Sequence, residues 1–264
     1  MSLAIETHGL TKTFGDFRAV DSVDLSVERG TFYGFLGPNG AGKSTTIKML
    51  TGLLAPSRGH ITLLGTDFAR EPLAAKKRIG VVPEDLCLFE NLTGREYLTF
   101  IGRMYLMERA TIRSRTNELL ALMGLADSEK TLVMEYSHGM KKKLSLAAAI
   151  LHDPELLFLD EPFEGIDAIA SRTIRTVLDR LVQRGATIFL TSHILEIVEK
   201  LCTHVGIIQK GRLVSQGSLM ELSHGGSLEQ AFVHAVGEHE ANPVTLSWLA
   251  PQAPPPIPDA AAAE

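Results

Sequence analysis

The chain has 264 residues, 45% hydrophobic and 22% charged, which suits one large α/β domain or one domain with a subdomain. Its formal net charge of -5 argues against a basic surface for DNA or RNA, so we expect no nucleic-acid partner. The two cysteines, Cys87 and Cys202, stand far apart, which argues against a disulfide framework or a zinc site and favours a reducing compartment.

Membrane-spanning segments are not apparent in the sequence. A bilayer-spanning helix needs about 18–20 apolar residues, and the longest candidate, residues 144–151, stops at His152. The N-terminal residues lack a basic region followed by an apolar stretch, so no secretory signal is predicted. We therefore expect any work at a membrane to go through a partner.

The first strands are predicted from alternating hydrophobicity between residues 3 and 29. This pattern is typical of antiparallel strands that bury one face. The side chains assigned to the buried face are Ile5, His8, Leu10, Val20, Val23, Leu25 and Val27.

A phosphate-binding loop follows the next predicted strand. The apolar run Phe32–Leu36 predicts a buried strand, residues 45–50 predict a helix, and the pattern G-x-x-x-x-G-K-S joins them. Glycines leave room for successive backbone N–H groups to surround a polyphosphate, and the helix adds unpaired N–H groups and a positive dipole end. The residues predicted to bind the nucleotide here are Gly37, Pro38, Asn39, Gly40, Ala41, Gly42, Lys43, Ser44 and Thr45.

Two side chains of this loop have distinct predicted roles. We expect Lys43 to reach the β- and γ-phosphates, where its charge assists the reaction, and the Ser44 hydroxyl to hold Mg²⁺. The loop therefore predicts that the chain binds a nucleoside triphosphate together with Mg²⁺.

Helical periodicity dominates the middle of the chain. After predicted strands at residues 59–65 and 78–82, apolar side chains recur at helical spacing from residue 91 to about residue 146. Thr93 or a neighbour is predicted to cap the first of these helices. We interpret residues 88–146 as a helical subdomain inserted into an α/β core.

Strands and helices alternate again after the helical region. Strands are predicted at residues 156–159, 187–191 and 205–208, with a helix at residues 168–184, and this alternation predicts a mainly parallel sheet. The predicted fold class is α/β, with an N-terminal antiparallel β subdomain and the inserted helical subdomain, all within residues 1–236. Residues 237–264 are rich in proline and alanine, which predicts a disordered tail.

Two acids end the predicted strand at residues 156–159. A buried strand beside the phosphate loop would deliver Asp160 to Mg²⁺ through water. Glu161 would orient or deprotonate the attacking water as a general base. The alternative, a solvent-facing Asp-Glu turn, is disfavoured by the presence of the phosphate loop.

A family resemblance rests on residues 136–144, which read Tyr-Ser-His-Gly-Met-Lys-Lys-Lys-Leu. They resemble the signature motif of ATP-binding-cassette (ABC) ATPases, usually L-S-G-G-Q, and are closest to the Y-S-x-G-M-K form of ABC-2-type exporters. Ser137 and Gly139 match the motif, whereas His138 and Met140 depart from it. The resemblance covers residues 3–222 and implies a P-loop NTPase core.

The same resemblance implies further roles. Ser137 and Gly139 would close on the ATP that an opposite subunit holds. Phe14 falls where the family has an aromatic ring that stacks on adenine. Asp167 resembles the acid of a loop that crosses the dimer interface, and His193 resembles the switch histidine that contacts the γ-phosphate.

Glu84 and the lysine run at residues 141–143 carry separate predictions. The family normally has glutamine after Val-Pro, but this chain has Glu84, whose carboxylate we expect to hold Mg²⁺ or water without abolishing activity. The lysine run at residues 141–143 is interpreted as a solvated helix face rather than a nucleic-acid patch.

The resemblance implies an ATP-hydrolysing subunit of an ABC transporter, of exporter type, at the cytoplasmic face of the cell membrane. The implied partners are separate multi-span membrane permease subunits and a second copy or a paralogous ATPase subunit. Two alternatives remain: a soluble cassette protein that acts on ribosomes or DNA, and an importer ATPase.

Overall fold

The computed structural model describes residues 2–223 and 226–237, which contain eleven strands, nine α-helices and two short 3-10 helices. The strands are β1 (Leu3–Phe14), β2 (Phe17–Val23), β3 (Ser26–Glu28), β4 (Phe32–Leu36), β5 (Arg58–Leu63), β6 (Thr66–Asp67), β7 (Ile79–Val82), β8 (Leu156–Asp160), β9 (Thr187–Ser192), β10 (His204–Gln209) and β11 (Arg212–Ser218). The α-helices are α1 (Lys43–Leu50), α2 (Pro72–Lys76), α3 (Gly94–Met104), α4 (Arg109–Leu122), α5 (His138–Ile150), α6 (Ala168–Gln183), α7 (Leu195–Leu201), α8 (Leu219–Ser223) and α9 (Leu228–Gly237).

The N-terminal strands form the predicted antiparallel sheet. Its order is β2-β1-β5-β6, and β3 also pairs with β1. The prediction that His8 lies on the buried face was wrong, because His8 is exposed and Thr7 is buried instead. Side chains alternate along a strand, so Ile5 and Thr7 share a face, and the Thr7 hydroxyl is satisfied by the Val23 carbonyl at 2.8 Å.

The second sheet is mainly parallel, as predicted. Its order is β11-β10-β4-β9-β8-β7, and every pair is parallel except the edge pair β10–β11. Every residue of β4, β8 and β9 is buried, which explains why these strands read as continuous apolar runs. The edge strand β11 was not predicted, because its residues alternate between exposed and half-buried positions.

Parallel pairing aligns the carboxyl ends of four strands at one edge of this sheet. Leu36 of β4 is level with Ser192 of β9, Asp160 of β8 is level with Thr191, and Val82 of β7 is level with Leu159. The loops after these strands therefore leave the sheet side by side. This edge is the usual place for a ligand site in an open α/β sheet.

Helices α3, α4 and α5 fill the region where helical periodicity was predicted, and α5 also packs against β7. Thr93 caps α3 as predicted: its hydroxyl accepts from the Glu96 N–H, and the Glu96 side chain accepts from the Thr93 N–H. None of the described helices is long and apolar enough to cross a bilayer. The domain limits at residues 88–146 and 236 remain predictions, and residues 238–264 of the predicted tail lie outside the described residues.

His152 lies between the helical region and the parallel sheet. Its ring stacks on Tyr105, with ring centres 3.6 Å apart, and its Nε2 lies 2.9 Å from the Ile79 carbonyl oxygen. Burial lowers the pKa of His152 from 6.5 to about 4. The ring is therefore neutral at physiological pH, when Nε2–H can donate to Ile79.

This low pKa makes the free energy of unfolding fall as the pH drops below 6.5. Between pH 6.5 and 4 the unfolded chain binds a proton at His152 that the folded chain does not bind. We expect a loss of about 1 kcal/mol between pH 7.5 and 5.5 from this residue alone. The variant His152→Gln, which keeps a donor near Ile79, should lose about 1 kcal/mol less than wild type over that interval. Urea unfolding at both pH values measures the difference, and parallel losses in the two proteins would contradict the assignment.

Candidate nucleotide-binding site

A cavity of about 550 Å³ lies at the carboxyl edge of the parallel sheet. It is bounded by the loop after β4, the loops after β7, β8 and β9, and the hairpin of β1 and β2. The residues that line it are Phe17, Ala19, Asn39, Gly40, Gly42, Lys43, Ser44, Thr45, Glu84, Glu161, Glu164 and His193. Sequence regions separated by up to about 175 residues thus meet at one site.

The phosphate loop is packed tightly against β2, β10 and the turn after β10. A Cβ on Gly37 would lie 2.4 Å from the Ile208 carbonyl oxygen, and one on Gly42 would lie 2.6 Å from the Ala19 carbonyl oxygen. Gly42 also has a φ of 110°, which side chains rarely tolerate. The Ala41 carbonyl accepts from the Gly211 N–H at 2.9 Å. The loop therefore depends on contacts with β2, β10 and the turn after β10.

Helix α1 begins inside this loop. Its N-cap residue, Gly42, supplies no side-chain hydrogen bond, so no cap competes for the first backbone N–H groups of the helix. The Lys43 ammonium donates to the carbonyls of Gly37 at 2.8 Å and Pro38 at 3.3 Å, which holds the charge within the loop. Backbone N–H groups, a helix N-terminus and one lysine together make an anion site.

The opposite wall of the cavity is acidic. Asp160 is buried, and burial raises its pKa, whereas the hydrogen bond from the Thr191 hydroxyl at 2.5 Å lowers it. The nearby carboxylates of Glu84 and Glu161 raise the pKa of Asp160 further. Glu84 Oε2 also accepts from the Ser44 hydroxyl at 3.2 Å. Three carboxylates and a hydroxyl therefore lie beside the phosphate loop.

These oxygen donors suit Mg²⁺ bound together with a phosphate. Residues 2–223 and 226–237 contain no group of three or more His, Cys, Asp or Glu side chains arranged as a metal site by themselves. Mg²⁺ normally binds one or two carboxylates and completes its shell with water and substrate phosphates. Ser44, Glu84 and Asp160 fit that requirement, since the Ser44 hydroxyl contacts both carboxylates.

Glu161 and His193 form a pair inside the cavity. Glu161 Oε2 lies 3.0 Å from His193 Nδ1, and the Glu161 side chain is only 10% exposed. The Glu161 backbone is in the left-handed region, with a φ of 46°, and its N–H donates to the Thr191 hydroxyl at 3.1 Å. A carboxylate held by a histidine beside an anion site can accept a proton from a water molecule.

Several of the predicted site residues do not line this cavity. Gly37, Pro38 and Ala41 belong to the phosphate loop and Asp160 is buried behind the wall, whereas Phe14, Ser137, Gly139 and Asp167 lie elsewhere. Ser137 is the N-cap of α5, where its hydroxyl accepts from the Met140 N–H, and Gly139 lies in the first turn of that helix. Asp167 is the N-cap of α6, and the hydrogen bond from the Ala170 N–H lowers its pKa. Ser137 and Asp167 are exposed, and Gly139 is half-buried. Both helix starts therefore lie outside the cavity of their own chain.

The aromatic side chain that lines the cavity is not the one expected from the sequence. Phe14, the residue predicted to contact adenine, is half exposed, and the Lys12 ammonium lies 5.2 Å from its ring centre. Phe17, which pairs with Phe14 across the β1–β2 hairpin, lines the cavity instead and is 66% exposed. Sequence reasoning missed Phe17, Ala19 and Glu164.

The exposure of the lysine run also differs from the prediction. The interpretation of residues 141–143 as a solvated face was wrong for Lys142, which is only 5% exposed. Its ammonium donates to the carbonyls of Glu161 and Glu164. No periodicity distinguishes this lysine from its neighbours in the sequence.

Known proteins resemble this chain in both sequence and fold. The family model described as ABC transporter matches residues 20–164. The chain is 36% identical to the linearmycin resistance ATP-binding protein LnrL of Bacillus subtilis (strain 168), over 89% of this chain and 76% of that protein. It is 42% identical to the daunorubicin/doxorubicin resistance ATP-binding protein DrrA of Streptomyces peucetius, over 83% of this chain and 66% of that protein.

A solved structure described as an ATP binding subunit of an ABC transporter superposes with a TM-score of 0.83 at 31% identity. The superposition covers 88% of this chain and 99% of that one, so the similarity includes both sheets and the helical region. The family match spans the phosphate loop and Glu161, two of the features that build the cavity. The chain therefore belongs to the ABC transporter family, as an ATP-binding ATPase subunit.

Proposed function

We propose that the chain is the motor subunit of a membrane exporter and that it hydrolyses ATP bound with Mg²⁺ in the cavity described above. The observation that carries this proposal is the placement of the Glu161–His193 pair across the same cavity from the phosphate loop. An anion site facing a proton acceptor is the arrangement that hydrolysis of a phosphoanhydride requires.

The assigned roles follow from the contacts. The triphosphate binds backbone N–H groups of residues 39–45, and Lys43 turns from the carbonyls of its own loop to the β- and γ-phosphates. Mg²⁺, held by Ser44 and Asp160 with Glu84, would offset the negative charge of the phosphate oxygens. Glu161 accepts the proton of the attacking water, and His193 orients that carboxylate and contacts the γ-phosphate. Either ring of the hairpin, Phe14 or Phe17, can stack on adenine.

A second subunit completes the site. Ser137 and Asp167 stand exposed at the N-termini of α5 and α6, where each side chain caps its own helix. The N-terminus of α5, with a neutral serine cap, suits an anion. In a head-to-tail dimer, Ser137 and Gly139 of one subunit would cover the γ-phosphate held by the other, and Asp167 would reach across the interface. The dimer is formed by two copies or by this chain and a paralogous subunit. ATP favours the closed dimer because it binds that state better.

A groove on the helical region is the surface that we propose for a permease. Leu88, Phe89, Leu92 and Phe100 surround a depression of about 600 Å³. Phe89 is 55% exposed, and its ring lies edge-on to Phe100 at 5.1 Å. Exposed aromatic clusters mark protein interaction sites. A helix from a separate multi-span membrane subunit would bind there and would hold the chain at the cytoplasmic face of the membrane.

Export is favoured over import by the relatives. The names of two of them record resistance, to linearmycin and to daunorubicin/doxorubicin. Resistance by transport requires removal of the compound from the cell. The net charge of -5 supports a role without nucleic acid.

Glu161→Gln should bind ATP with nearly wild-type affinity but hydrolyse it about 100-fold more slowly, because general-base assistance contributes about 10²–10⁴-fold. Lys43→Ala provides the contrast, since it should lose ATP binding itself. Nucleotide affinity and phosphate release measured on both variants distinguish the two roles. Wild-type turnover by Glu161→Gln would show that Glu161 is not the base.

Glu84→Gln should retain ATP hydrolysis within about threefold, because the amide oxygen can still accept from Ser44 and the change removes one of three neighbouring carboxylates. The Mg²⁺ concentration for half-maximal activity should rise if the carboxylate helps to hold the ion. Complete loss of hydrolysis in a folded variant would contradict this expectation.

Phe89→Ser should weaken recovery of a permease by at least about tenfold while leaving ATP hydrolysis by the isolated chain unchanged, since Phe89 does not line the nucleotide cavity. The measurement is an affinity pull-down from detergent-solubilised membranes of the source organism with Mg-ATP, read by mass spectrometry. Met220→Ser, which alters an even more exposed apolar side chain on α8, is the control. Equal recovery of a multi-span protein by both variants would exclude the groove, and recovery of ribosomal or DNA-repair proteins alone would exclude the transporter role.

A further inference from the structure

The three consecutive lysines of α5 have different surroundings. Lys141 pairs with Glu90, and Lys143 is partly exposed. Lys142 is only 5% exposed, and its ammonium points at the turn that follows β8. A buried ammonium is costly unless its donors are satisfied, so this placement needs an explanation.

Lys142 is satisfied by two backbone carbonyls. Its Nζ donates to the Glu161 carbonyl at 2.9 Å and also to the Glu164 carbonyl. Burial lowers the pKa of Lys142, and the carboxylates of Glu164, Glu161 and Glu84 act in the opposite direction. Hydrogen bonds from a charged donor are stronger than neutral ones, so this ammonium fixes both ends of the turn.

The turn contains backbone that needs such support. Glu161 has a φ of 46°, a conformation that costs free energy for a residue with a side chain. Its N–H donates to the Thr191 hydroxyl, and its carbonyl accepts from Lys142. The backbone of Glu161 is therefore held on one side by β9 and on the other side by α5.

The contact between α5 and this turn extends over one helix face. His138 lies four residues before Lys142, so both side chains lie on the same side of α5. A Cβ on Gly165 would lie 3.1 Å from His138 Cδ2, so the His138 ring lies against the end of the same turn. Ser137, at the N-terminus of this helix, is exposed. One face of α5 thus covers residues 161–165 while its N-terminus is open to a partner.

We propose that Lys142 is a positioning residue for ATP hydrolysis, which holds the Glu161 carbonyl so that the Glu161 carboxylate faces the cavity. Through Lys142, α5 joins Ser137, which contacts the partner's nucleotide, to Glu161, which acts on the subunit's own nucleotide. This inference rests on the proposed role of Glu161 as the base.

Steady-state hydrolysis and nucleotide affinity of the full chain test this role. Lys142→Met removes the charge and keeps the length of the side chain. Its kcat should fall about 10- to 100-fold, as expected for a misplaced catalytic group, with KM and the ATP Kd within about threefold of wild type. Lys142→Arg, which retains a cation and several donors, should recover most of the kcat. Lys143→Met is the matched control, and it should hydrolyse ATP at the wild-type rate.

A double-mutant cycle with Glu161→Gln separates positioning from a structural role. If Lys142 acts through Glu161, Lys142→Met should cause no further loss of kcat in the Glu161→Gln background. If the kcat losses of the two single variants multiply in the double variant, the inference is wrong. A wild-type kcat in Lys142→Met alone would also overturn it. Should Lys142→Met fail to fold, Lys142→Gln takes its place in the same cycle. Wild-type hydrolysis by Glu161→Gln would instead overturn the proposed base and this inference with it.

Discussion

Parallel hydrogen bonding among β4, β9, β8 and β7 is the constraint on which the site depends. It sets Asp160 level with Thr191, and the Thr191 hydroxyl then bonds to the Asp160 carboxylate while it accepts from the Glu161 N–H. A shift of one residue in this pairing would separate these groups and turn buried side chains to the opposite face. The phosphate loop leaves β4 at the same edge, so the sheet register places the anion site and the acids together.

Most of the core could be predicted because its strands are buried on both faces. Such strands read as unbroken apolar runs, as at Phe32–Leu36, and the loop chemistry that follows them has a fixed spacing. The Thr93 cap could also be predicted from the sequence, since a capping box needs only two residues three positions apart. The half-exposed edge strand β11 gave no comparable pattern.

The rest of the site depends on contacts that no local pattern encodes. Phe14 and Phe17 are both aromatic and lie in one hairpin, and only the twist and packing of that hairpin decide that Phe17 lines the cavity. Lys142 is chemically identical to its two neighbours, and its burial follows from the docking of α5 on the turn after β8. Ser137 and Asp167 lie outside the cavity of their own chain, so a single subunit contains only part of the proposed site.

The packing of the phosphate loop also has a consequence for how the protein folds. Ala41 bonds to Gly211, Gly211 bonds to Asp21, and Gly42 lies against the Ala19 carbonyl, so the loop reaches its final shape only when segments distant in sequence have come together. Contacts of such high sequence separation form late, because the chain must first lose the entropy of a long loop. During synthesis, residue 211 must leave the ribosome before the loop can close. Acquisition of nucleotide affinity would therefore report the completion of folding rather than its beginning.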